Sequence, residues 1–203
     1  MRTQYIFRSL MIIGALACVV LPFTFSSANV DYSTMTLQPY TDSLGNYAIG
    51  LPEGWKTSSS ELGGITSYVK CTGQRSTTIT VTCSLESDLK TDITKALSLG
   101  KESPLKPEHL NSVDRMSFNR KDLEATEPQE IVVADREAFL STVKYTSSRG
   151  FSVKKMKCAI VTAWNGSAPV SIQFTSPEKD FDQVYPLFER CVETFTPHVG
   201  TQN

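Results

Sequence analysis

The chain has 203 residues, of which 40% are hydrophobic and 20% charged, and a formal net charge of −1. These proportions exclude a disordered or low-complexity chain. The near-neutral balance excludes a nucleic-acid binder, whose affinity comes from a basic face set against phosphates.

The first 28 residues read as a secretory signal peptide. Arg2 and Arg8 form a positive start, Leu10 to Phe25 is apolar, and Ser26-Ser27-Ala28 places small residues at a cleavage site. The apolar run is shorter than the ~20 residues of a spanning helix, and Pro22 interrupts its end. Two alternatives stand beside cleavage: retention as a membrane anchor, and lipidation of Cys18 in the lipobox-like Ala15-Leu-Ala-Cys18. Removal of residues 1–28 leaves 175 residues, 18 basic and 21 acidic side chains, and four cysteines.

Residues 29–44 are polar and without sustained period, which predicts a flexible lead-in. Tyr47-Ala-Ile-Gly-Leu51 is a short strand closed by Pro52-Glu-Gly54 and followed by Trp55. Ile65 to Cys71 and Thr77 to Cys83 alternate with a period of two, and Thr72-Gly-Gln-Arg75 joins them as a hairpin. Ile65, Ser67, Val69 and Cys71 share one face; Ile79, Val81 and Cys83 share another. A helix capped by Ser87 or Asp88 carries Leu89, Ile93, Ala96 and Leu97 and stops at Gly100. Residues 101–128 read as a loop with one short helix over 107–116. Strands are predicted over 129–134, 137–146, 151–163 and 168–175.

Ser176-Pro177-Glu178 starts the last helix, with Ser176 as N-cap and Pro177 in the first helical position. Phe181, Val184, Tyr185, Phe188, Cys191, Val192 and Phe195 recur at helical spacing, and Pro197 ends the run. Residues 198–203 form a tail. Strands joined by short turns are antiparallel, and a sheet with segregated helices is α+β.

Two segments carry a family resemblance: Gly45-Asn-Tyr-Ala-Ile-Gly-Leu-Pro-Glu-Gly-Trp55, and the block from Val170 through Phe181, Phe188 and Phe195. They make residues 45–197 resemble the PsbP-like fold group, which includes the photosystem PsbP proteins, DcrB-type envelope lipoproteins and Eag-type secretion chaperones. The resemblance implies an antiparallel sheet flanked by helices in a three-layer sandwich. It also implies a non-enzymatic protein that binds or assembles with other proteins.

Catalytic equipment is sparse. His109 lies in a charged segment and His198 near the C-terminus, and both are expected to face solvent. No Gly-x-Ser-x-Gly elbow, His-Glu-x-x-His, Cys-x-x-Cys or phosphate-binding glycine loop occurs, so no catalytic residue, metal or cofactor is assigned. Glu124, Glu127 and Glu130 read as a solvated face.

Cys71, Cys83, Cys158 and Cys191 are candidate disulfide partners in an exported chain. Cys71 sits beside the hairpin turn and Cys83 at the far end, too far apart to bond each other. Full oxidation leaves 71–158 with 83–191, or 71–191 with 83–158; a single bond leaves 158–191 open. Buried free thiols are the alternative.

Asn165-Gly-Ser167 is a glycosylation sequon and also a turn sequence. Trp55 and Trp164 are candidate partner anchors, although the family resemblance implies that Trp55 packs after the strand. These readings describe an exported, non-catalytic binding or assembly module of the cell envelope with a protein partner and no nucleic acid. A secreted effector acting outside the cell and an enzyme of unrecognised type are the alternatives. Membrane attachment would come only through a retained anchor or lipidated Cys18.

Overall fold

The computed structural model describes residues 30–84, 105–117, 120–149 and 152–197. The signal-peptide segment with Cys18, the helix predicted over 87–100, His198 and the tail lie outside these residues.

Strand β1 (Leu37–Thr41) falls inside the segment expected to be a flexible lead-in. It is ordered by pairing antiparallel with β2 (Tyr47–Pro52), Leu37 opposite Pro52 and Thr41 opposite Ala48. A second strand absent from the sequence reading, β3 (Lys56–Leu62), pairs with β4 (Thr66–Thr72). Gly63-Gly64 turns this hairpin. Both have positive φ, 61° and 69°, the two-residue geometry whose twist matches the flanking strands. Ile65, expected on the buried face, lies in this turn and is 48% exposed.

β4 leads through a single 3₁₀ turn, Gln74–Ser76, to β5 (Thr78–Ser84). The predicted alternation holds, with every second residue of each strand buried. Helix α1 (Leu105–Ser117) and strand β6 (Lys121–Ala125) occupy the segment expected to be mostly loop. The strands β7 (Gln129–Val133), β8 (Arg136–Arg149), β9 (Ser152–Trp164) and β10 (Pro169–Pro177) follow, close to their predicted bounds. Helix α2 (Glu178–Glu193) and the short β11 (Thr196–Pro197) complete the described chain.

Ser176 is not the cap of α2. β10 runs on through Pro177, which takes the cap position without a side-chain hydrogen bond. The Ser176 hydroxyl is instead buried against Thr77 Oγ1 at 3.3 Å. The expected acids do stand in the first turn, where Lys144 reaches Glu178 at 3.1 Å.

The described strands form two sheets. The small one has the order β1-β2-β11; the large one runs β3-β4-β5-β10-β9-β8-β6, with β7 also on β8, and all pairings are antiparallel. On one face of the large sheet, Val69, Val81, Ile172 and Phe174 pack with Phe181, Val184 and Phe188 of α2 and with Tyr47 and Ile49 of the small sheet. On the other face, Val143, Met156, Cys158 and Ile160 pack under Val113 and Met116 of α1. The result is an α+β sandwich with helices on both sides of an antiparallel sheet.

The connection between β4 and β5 is held by a ring-on-backbone contact. A Cβ built on Gly73 would stand 2.5 Å from the Trp55 ring, closer than real atoms approach. Gly73→Ala should therefore lower stability by about 1–3 kcal/mol through overpacking. Urea denaturation followed by tryptophan fluorescence checks both the loss and the displacement of Trp55.

Candidate functional site

The site-bearing region is the face under α1. Leu105, His109, Val113 and Met116 lie along the buried stripe of this helix, at spacings of four, four and three. His109 therefore points into the sheet and has no exposed surface, which corrects the expectation that it faces solvent. Its Nδ1 pairs with Thr162 Oγ1 at 2.9 Å and its Nε2 with Ser141 Oγ at 2.9 Å. A neutral imidazole offers one donor and one acceptor, so one hydroxyl accepts and the other donates. Burial lowers the His109 pKa to about 4, because nothing repays the desolvation of an imidazolium there. The ring thus ties α1 to β8 and β9 as a neutral, fully bonded group.

Beside it, a cavity of about 520 Å³ opens between α1 and the sheet. Glu108, Asn111, Ser112 and Arg115 project from α1 as one wall. Thr82, Thr162, Ser171 and Gln173 form a floor of hydroxyl and amide groups from three neighbouring strands. Arg115 reaches Glu108 at 3.5 Å, and Asn111 Nδ2 donates to the same carboxylate at 3.4 Å. Arg120 closes one end, its guanidinium 4.2 Å from the Tyr145 ring centre. Arg120 Nη1 is buried without a hydrogen-bond partner.

Among the described residues Cys71, Cys83, Cys158 and Cys191 are buried free thiols, the alternative to the disulfide expectation. Cys158 belongs to the α1 side of the sheet, whereas Cys71, Cys83 and Cys191 belong to the α2 side. Both fully oxidised pairings, and the single 158–191 bond, would pass through the sheet. Cys71 and Cys83 are kept apart as anticipated: Cys71 stands opposite Ile79, and Cys83 opposite Ser67. Burial pushes the thiols up, to about 12 for Cys83 and Cys191 and about 11 for Cys158.

Asn165 is 1% exposed. Its Oδ1 accepts from the backbone N–H of Ser167 and of Ala168, both at 2.7 Å, while Nδ2 donates to the Asn46 carbonyl at 3.1 Å. The sequon is thus a structural turn of four residues between β9 and β10. Gly166 takes φ +100°, which favours glycine. Trp55 is half-buried against the core and Trp164 half-buried at the end of β9, so neither is an exposed anchor. Glu124, Glu127 and Glu130 are all exposed, as expected of a solvated face. Among the described residues no group of three or more His, Cys, Asp or Glu is placed to hold a metal ion. No helix among them is long and apolar enough to cross a membrane.

No protein-family model and no curated protein matches this sequence. The matches are to solved structures. A point mutant of protein Mog1 aligns at 13% identity and a TM-score of 0.50, covering 81% of this chain and 97% of that one. Cyanobacterial PsbP from Synechocystis sp. PCC 6803 aligns at 17% identity and 0.47, covering 81% and 94%. LpqN of Mycobacterium tuberculosis, described as involved in cell envelope biogenesis, aligns at 10% and 0.40, covering 80% and 91%. At these identities the likeness concerns fold, and the comparison with Mog1 carries it. The fold is the one shared with Mog1, and it fits the PsbP-like resemblance of residues 45–197.

Two outcomes follow from the buried groups. The folded pKa of His109 lies below its unfolded value near 6.5, so the unfolded chain takes up the extra proton. Stability is therefore complete above pH ~6.5 and falls by roughly 2 kcal/mol by pH 5. His109→Gln, which can still donate and accept, should flatten that part of the pH dependence of the urea midpoint. In the native protein at pH 8, Cys71, Cys83, Cys158 and Cys191 should resist an aromatic disulfide reagent and all react after denaturation in guanidinium.

Proposed function

We propose that this chain is an exported, non-catalytic binding module of the cell envelope that holds a protein partner along β3. The observation that carries the reading is the state of that strand. All seven residues from Lys56 to Leu62 are exposed, and among the described residues β3 pairs only with β4. Its outer row of backbone N–H and C=O groups is open to an added strand. At the hairpin tip, Leu62 is 75% exposed and Ile65 48%, an apolar contact at the end of a polar edge.

The opposite edge is blunted. β6 and β7 share it as two short strands, with a register shift between Lys121 and Glu124, a left-handed Asp122 at φ 52°, and Pro128 between them. Of the two described edges of the large sheet, β3 is therefore the one an extended segment of a partner can join. Export rests on the signal-peptide pattern of residues 1–28.

A photoreactive amino acid placed at Leu62 in cells of the native host tests both parts. One discrete adduct should form in the exported fraction. Its yield should exceed by at least about tenfold that from Val132 on β7, which is 74% exposed on the other edge. No adduct from Leu62, equal adducts from both positions, or a chain confined to the cytoplasm would overturn the reading.

A further inference from the structure

The cavity under α1 has the composition of a ligand site, and nothing in the edge-strand reading uses it. Within its lining, Arg115 and Arg120 are cationic and Glu108 is anionic, so the described walls carry one positive charge in excess. That excess resides on Arg120. Arg115 has Glu108 as its partner, loosely, at 3.5 Å, whereas Arg120 has no carboxylate partner among the described residues. A guanidinium with a buried, unbonded nitrogen is costly unless an anion supplies the missing acceptor. The planar fork also matches a carboxylate in two-point geometry.

The remaining lining selects the rest of the ligand. Ser112, Ser171 and Gln173 offer groups that can both donate and accept. Such a surface suits a molecule rich in hydroxyls better than an apolar one. Thr162 is already engaged through His109, which holds that part of the floor rigid and neutral. At about 520 Å³ the space is that of a small molecule, within the range of ordinary ligand cavities.

We infer that the cavity between α1 and the sheet binds a small polyhydroxylated monoanion, a sugar acid by chemistry, with its carboxylate on Arg120 and its hydroxyls over Ser171 and Gln173. One excess positive charge favours a single carboxylate over a phosphate dianion. Glu108 on the α1 wall repels the second charge a dianion would bring.

Titration calorimetry with glucuronate, glucose and inorganic phosphate tests this on the exported full-length protein. Glucuronate should bind saturably, and glucose, which lacks the carboxylate, at least about tenfold more weakly. Arg120→Gln should weaken glucuronate by a similar factor. Ser171→Val, which removes a floor hydroxyl and keeps a good strand former, should also weaken it, with circular dichroism confirming that both variants fold. The inference is overturned by absent glucuronate binding, by equal binding of glucose, or by unchanged affinity in folded Arg120→Gln. Phosphate binding as tightly as glucuronate would reduce the cavity to an oxyanion site and overturn the assignment to a sugar acid.

Discussion

Phe174 stands in the middle of β10 with no exposed surface, stacked on Phe188 at 5.4 Å and tilted against Phe181 at 5.1 Å. β10 is the strand that joins the two halves of the large sheet, pairing with β5 on one side and β9 on the other. The aromatic contact therefore fixes α2 to the one strand whose register both halves share. Burying a phenylalanine is worth roughly 1.5–3 kcal/mol, and ring pairing adds about 0.5–1.5. A one-residue slip of β10 would turn Phe174 to the α1 side and bring Gln173 under the helix, losing both terms.

That register propagates outward. Ile172 meets Val81 on β5 and Val161 on β9, and Val81 meets Val69 on β4, so one row of aliphatic side chains crosses four strands. At the far end of α2, the Thr194 hydroxyl donates to the Cys191 carbonyl and accepts from the Gly50 N–H, both at 2.7 Å. The small sheet is thereby tied to the helix terminus by one side chain. The open edge at β3 and the cavity under α1 lie on parts of the sheet that this packing holds rigid without covering.

The alternation of β4 and β5 was legible because one face of each strand is buried and the other is not. β9 shows why the cysteines were harder. From Cys158 to Ala163 every residue is buried, so a strand covered on both faces loses the period that would assign Cys158 to a side. β3 was invisible for the opposite reason. Lys56-Thr-Ser-Ser-Ser-Glu-Leu62 is exposed throughout and has no apolar alternation, although Gly63-Gly64 between two β-forming segments was a usable turn signal. His109 left a trace as well, four residues after Leu105 and four before Val113 on the stripe of α1. Its partners, Ser141 and Thr162, lie 32 and 53 residues away, a distance no local pattern spans. The cavity was illegible for the same reason, since its floor joins Thr82 with Ser171 only through the pairing of β5 with β10.

The turn at Asn165 bears on how the protein reaches its folded state. The Nδ2 atom that donates to the Asn46 carbonyl is the atom to which an oligosaccharide would be attached in a eukaryotic secretory pathway. Folding and glycan transfer thus compete for one nitrogen. A chain that folds first hides the acceptor, and a chain modified first loses a donor and has a bulky sugar where the β9–β10 turn must close. Choice of expression host is consequently part of this protein's folding chemistry, and a bacterial secretion route leaves that nitrogen to the Asn46 carbonyl.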